Sequence, residues 1–132
     1  MKKALLTLLM LFVSLGATAE VYKFQTTEFA FRTVDKRGNM GNWSDWEKCS
    51  LLIVINTNTD KVDIYSQTPQ QYDIIDIGKP ISDGQGGETF TISCVDEEGI
   101  RCGIRVRTQK DGELQMYVDY ADACWVYNIY SK

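Results

Sequence analysis

The chain is 132 residues long, with 14 Lys and Arg against 18 Asp and Glu, four Cys, two Pro and no His, at 44% hydrophobic and 24% charged composition. That balance fits one ordinary globular domain and excludes a disordered tail, a collagen-like repeat or a disulfide knot without a core. The lack of histidine removes the Ser-His-Asp and Cys-His catalytic units, the imidazole zinc ligand and the near-neutral imidazole switch.

Residues 1–19 have the form of a secretion signal. Met1-Lys2-Lys3 is a basic start, Ala4 to Leu15 is an almost unbroken apolar run, and Ala17-Thr18-Ala19 places small residues where a signal peptidase accepts them, so cleavage is expected before Glu20. The apolar run is shorter than the ~20 residues of a spanning helix, and no later stretch approaches that length, so no membrane span is expected. The expected mature domain, 20–132, keeps 12 basic and 18 acidic side chains, a net of −6. An acidic domain without clustered Lys and Arg argues against a nucleic-acid partner. Export, to periplasm or medium, also makes two disulfides the expectation for Cys49, Cys94, Cys102 and Cys124.

From Val21 onward, apolar residues recur at spacing two and β-branched and aromatic types dominate, which predicts an all-β domain. The expected strands are 21–34, 43–48, 49–56, 61–66, 71–77, 88–95, 101–109, 113–120 and 124–130. Eight or nine short strands at this spacing predict an antiparallel meander closed as a small calycin-like barrel, with a two-sheet sandwich as the alternative. In the first strand, Tyr22 and Phe24 share a face while Phe29 and Phe31 have the other parity. A bulge near Thr26-Thr27 would reconcile them and favours the strongly coiled strands of a barrel.

Three hairpins have a register fixed by their apolar residues. A turn at Thr57 to Asp60 sets Ile55 opposite Val62 and Ile53 opposite Ile64. A turn at Asp96 to Ile100 sets Cys94 opposite Cys102, Ile92 opposite Ile104 and Phe90 opposite Val106. That register predicts a Cys94–Cys102 disulfide, and elimination leaves Cys49–Cys124. A three-residue loop, Lys110-Asp111-Gly112, with left-handed Gly112, sets Thr108 opposite Leu114, Val106 opposite Met116 and Ile104 opposite Val118.

The same register turns Arg101, Arg105 and Arg107 outward, with Tyr117 opposite Arg105. An arginine stripe beside a tyrosine can hold a carboxylate or sulfate through the planar fork of donors, or can be a solvated face with one cation–π pair. Trp43 and Trp46 lie just after the Gly-rich turn from Gly38 to Asn42. Buried rings there would plug a core end; exposed ones would stack on sugar or anchor a partner. Strand parity assigns Trp43 to the core and Trp46 to the surface. Asn42-Trp43-Ser44 also has the form of a glycosylation acceptor.

Trp43-Ser44-Asp45-Trp46-Glu47-Lys48-Cys49-Ser50 resembles the W-x-x-W-x-x-C-S opening of thrombospondin type 1 repeats, but Leu51 to Ile55 replaces their C-x-x-C-G continuation. It is also similar to the W-S-x-W-S box of cytokine receptors, except that Glu47 stands where the last Ser belongs. Gly41-Asn42-Trp43 resembles the lipocalin G-x-W signature, whose Trp closes one end of the barrel; no second or third lipocalin motif follows.

Catalytic candidates are few. The acid pairs Asp73 with Asp76 and Asp119 with Asp122 lie at strand ends, and Asp96-Glu97-Glu98 is a hairpin tip where acids solubilise. No D-x-[DN]-x-[DN]-G calcium loop or phosphate-binding loop occurs, so no metal or cofactor is expected. The expected function is therefore a non-enzymatic exported barrel that binds an apolar or amphipathic small molecule or a glycan. Its candidate binding residues are Trp46, Trp43, Arg105, Arg107 and Tyr117. The alternative is a surface-acting inhibitor or adhesion domain with a protein partner and a filled core, and a small carboxylate-based hydrolase ranks third.

Overall fold

The computed structural model describes residues 20–132; the expected signal segment, 1–19, lies outside them. Ten strands follow in chain order: β1 (Val21–Thr33), β2 (Glu47–Lys48), β3 (Leu52–Asn56), β4 (Lys61–Ile64), β5 (Gln70–Ile77), β6 (Ile81–Ser82), β7 (Glu88–Asp96), β8 (Arg101–Thr108), β9 (Leu114–Asp119) and β10 (Ala123–Ser131). Eight of them pair in the order β1-β3-β4-β5-β7-β8-β9-β10, and β10 returns to pair with β1. The result is a closed antiparallel barrel, with β2 on the outer edge of β1 and β6 on β7. The pairing of Thr33 with Ala123 through Phe24 with Ser131 closes it, so the two-sheet sandwich does not form.

The period-two pattern builds the wall locally. Along β3 and β4 the cross-strand pairs are Ile53 with Ile64 and Ile55 with Val62. β7 and β8 set Phe90 opposite Val106, Ile92 opposite Ile104 and Cys94 opposite Cys102. β8 and β9 set Val106 opposite Met116 and Ile104 opposite Val118. The β8–β9 loop is the three-residue one, with Gln109 N bonded to Glu113 O at 2.8 Å and Gly112 at φ +88°, where a Cβ is penalised. All three hairpin registers agree with those read from the apolar pattern.

β1 carries the expected irregularity. Its register against β10 slips between Thr26 and Glu28. Before the slip Tyr22, Phe24 and Thr26 are buried, and after it Phe29, of the other parity, packs against the core opposite Tyr127. Inside the barrel, Ile53, Val62, Ile64, Ile92, Ile104, Met116 and Val118 all reach 0% exposure and join one apolar cluster with Phe24, Phe90 and Ile129. Side chains fill the lumen, as expected for eight strands.

Two sequence expectations fail. The first is the disulfide-stapled barrel: all four cysteines are free thiols. Cys94 and Cys102 do lie opposite one another, yet the Cys94 Sγ points into the core and rests 3.6 Å from the Ile92 carbonyl. Burial pushes its pKa up to about 12 and raises that of Cys102 as well. Cys49 and Cys124 are simply apart. The Cys49 amide bonds Thr27 O, whereas Cys124 pairs with Arg32. Five residues of extended strand separate those anchor points by roughly 16 Å, beyond the ~7 Å limit on Cα separation for a bridge.

The second is the strand at 43–48, of which only Glu47–Lys48 is regular. The segment before it follows β1 irregularly, through a Val34–Met40 bridge and through Gly41 N to Thr33 O and Ser44 N to Phe31 O, both 2.8 Å. Parity has no meaning on such a segment. Trp43 is accordingly 38% exposed and not a core plug, and Trp46 is 46% exposed.

Candidate functional site

Two surfaces concentrate polar chemistry. The first is the barrel end where β5 begins and β7 ends. A cavity of about 140 Å³ opens there, lined by Gln70, Gln71, Tyr72, Asp96, Glu97, Glu98 and Tyr120. Its polar groups largely satisfy one another. The Tyr120 hydroxyl donates to Asp96 Oδ2 at 2.8 Å, the Tyr72 hydroxyl to Gln70 Oε1 at 2.6 Å, and Tyr120 stacks on Trp125 with ring centres 5.5 Å apart. Asp96 Oδ1 also accepts the amides of Glu98 and Ile100, each at 2.9 Å; these bonds hold its carboxyl below the usual range. The cavity is well below the ~300–1,000 Å³ of a typical small-molecule site. It is a polar dimple over a filled lumen.

The second surface is the outer wall formed by β8, β9, β10 and the end of β1. Alternation turns Arg105 of β8, Tyr117 and Asp119 of β9, Val126 and Cys124 of β10, and Ala30 and Arg32 of β1 outward. They are brought side by side by the pairs Arg105–Tyr117, Tyr117–Val126 and Asp119–Cys124, and Val126–Ala30 and Cys124–Arg32. Although these residues are outside the barrel, Ala30, Val126 and Cys124 are only 2–4% exposed. Trp43 is laid over this wall from the irregular segment. Its ring centre is 6.2 Å from that of Tyr117, tilted by 59°.

The result is a row of alternating cations and rings. The Arg32 guanidinium carbon sits 4.3 Å from the Trp43 ring centre and that of Arg105 sits 4.2 Å from the Tyr117 ring centre. Arg105 grips Asp119 with two donors, Nε to Oδ2 and Nη2 to Oδ1 at 3.0 Å. Asp119 Oδ1 takes the Cys124 Sγ as well, at 3.0 Å, and burial raises the Cys124 thiol to about 11. The Tyr117 hydroxyl donates to Gln115 Oε1 at 2.9 Å, and Gln115 continues to Asn128 at 3.0 Å. Each ring is thus fixed by a cation on one side and by the hydrogen-bonded wall beneath.

Of the residues singled out in the sequence, the structure brings together Trp43, Tyr117 and Arg105. Arg107 lies further along β8, opposite Gln115, where its charge helps depress the Asp83 carboxyl, itself held down first by the amides of Gln85 and Gly87. Trp46 is exposed on the segment that carries Trp43. Arg32 was missed, although the bulge that flips the phase of β1 is the signal that turns it onto this face.

Among the described residues, no cluster of three or more Cys, Asp or Glu is placed to hold a metal ion, and no helix is long and apolar enough to cross a membrane. Fold and site together define a small closed β-barrel with a filled lumen and an aromatic–arginine outer face. Comparison with protein-family models, curated proteins and solved structures finds no match.

Proposed function

We propose that the protein is an exported, non-enzymatic binding module that takes a glycan on its outer aromatic–arginine face. The observation that carries this is the position of Trp43: 38% exposed, yet fixed between Arg32 and Tyr117. A large ring held in a defined orientation while still partly open to solvent is a stacking platform that needs little ordering on binding. The filled lumen and the small mouth cavity speak against an internal apolar ligand, so the contact surface belongs on the wall. The leader-like residues 1–19 support export.

Retention of the purified 20–132 domain on immobilised neutral and acidic polysaccharides tests this, with Trp43→Ala and Trp46→Ala compared after circular dichroism shows that both fold. Retention lost in Trp43→Ala supports the role; equal retention of all three proteins overturns it.

A protein partner at the same face is the second possibility. It is favoured by the exposure of Met40 (61%) and Trp46 (46%) on the segment that carries Trp43, residue types enriched at interfaces. Failure of every polysaccharide, with a stable stoichiometric complex formed with a host protein, would decide for it.

A further inference from the structure

We propose that Arg32 is an anion anchor, and hence, resting on the glycan-binding role above, that the sugar recognised here is acidic, bearing a carboxylate or a sulfate. Besides Glu28, which accepts from Asn128 further along β1, the row formed by Arg32, Trp43, Tyr117 and Arg105 contains two guanidinium groups and contacts one carboxylate. Asp119 is that carboxylate, and its oxygens are occupied by Arg105 and by the Cys124 thiol. Among the described residues the salt bridges are Lys61 with Asp73 and Arg105 with Asp119, so Arg32 has no acid of its own.

Arg32 is also partly withdrawn from water. Its Nε is buried without a hydrogen-bond acceptor, while the residue as a whole keeps intermediate exposure. Buried polar groups are nearly always paired, and a partly desolvated charge gains most from an opposite charge. The Trp43 ring satisfies the cation only through its quadrupole, without accepting a hydrogen bond. A guanidinium offers a planar fork of donors that matches a carboxylate or sulfate.

The placement selects the ligand class. The unmatched cation touches the ring proposed to stack on sugar, so a single hexuronate or sulfated residue can meet both: its ring on Trp43, its acid on Arg32. A neutral sugar uses only the first contact and leaves the charge unmatched.

Two-dimensional ¹H–¹⁵N spectra of the 20–132 domain, following the Arg32 Nε–H and the Trp43 indole N–H, test this at constant ionic strength with sodium glucuronate, sodium sulfate, glucose and a glutamate-rich peptide. Glucuronate and sulfate should move the Arg32 signal saturably, glucose should not, and Arg32→Gln should weaken glucuronate about tenfold. Arg32→Lys, which keeps the charge but not the fork, should recover part of that loss, and the exposed Arg101→Gln should bind as wild type. Trp43-dependent binding of neutral and acidic sugars alike, unaffected by Arg32→Gln, would overturn the anion anchor and leave the glycan role standing. A response to the peptide but not to glucuronate would overturn the acidic-sugar assignment. Silence of both signals toward every probe would overturn the anchor and the glycan role together.

Discussion

The Arg32 guanidinium and the Trp43 ring, 4.3 Å apart, fasten an irregular segment to the outside of a regular barrel. The backbone bonds of that segment to β1 are few, so the side-chain pair should carry measurable stability. Trp43→Ala is expected to cost about 1–2 kcal/mol, from lost apolar contact and a lost cation–π contact. A double-mutant cycle with Arg32→Gln should show a coupling of about 0.5–1 kcal/mol. Urea unfolding measures both, and additive single effects would mean that the contact carries no stability.

Asp119 binds Arg105 through both oxygens while accepting the Cys124 thiol. Asp119→Asn halves the acceptor capacity and removes the charge. Because the two side chains are 35% and 33% exposed, the loss should be modest, about 1 kcal/mol, and should shrink as salt is raised. A salt-independent loss would assign the effect to packing instead of charge.

Gly112 closes the β8–β9 loop at φ +88°. Gly112→Ala should destabilise by about 1 kcal/mol, because L-residues are strained in that region. A neutral or stabilising result by urea unfolding would show a negative φ in solution.

Four free thiols should titrate with a disulfide reagent in denaturant without prior reduction. In the native protein, Cys49 and Cys102 should react before the buried Cys94 and Cys124. Burial also sets a pH dependence. The Cys94 and Cys124 thiols titrate at about 12 and about 11 when folded, against ~8.5 in the unfolded chain. The unfolded chain therefore releases its protons first. The contribution is complete below pH ~8.5 and is lost as pH rises toward the folded values. The urea midpoint should fall steadily between pH 8.5 and 10.5; a flat or rising midpoint would contradict the burial of these groups.

Much of the wall could be read from local pattern. Ile55 with Val62, Ile92 with Ile104 and Val106 with Met116 follow from alternation plus turn chemistry, because a hairpin register depends on a few adjacent residues. The phase change between Phe24 and Phe29 announced the β1 bulge in the same way. Arginine and tyrosine facing outward on β8 and β9 came with those registers. Opposition of Cys94 and Cys102 was equally local, but whether the thiols bond depends on side-chain direction and burial, which alternation does not specify.

The remainder was decided by contacts between distant parts of the chain. Closure depends on β10 returning to β1, a pairing of opposite ends of the domain that no hairpin rule dictates. That return sets Cys124 beside Arg32 and holds both far from Cys49. It also creates an outer face on which Ala30 and Val126 are buried and Trp43 can lie across Tyr117. Strands, turns and the inward side of each hairpin follow from the short-range sterics of an alternating chain. Only the closed tertiary structure decided which outward side chains meet, because residues that are neighbours across the β1–β10 seam are remote along the chain.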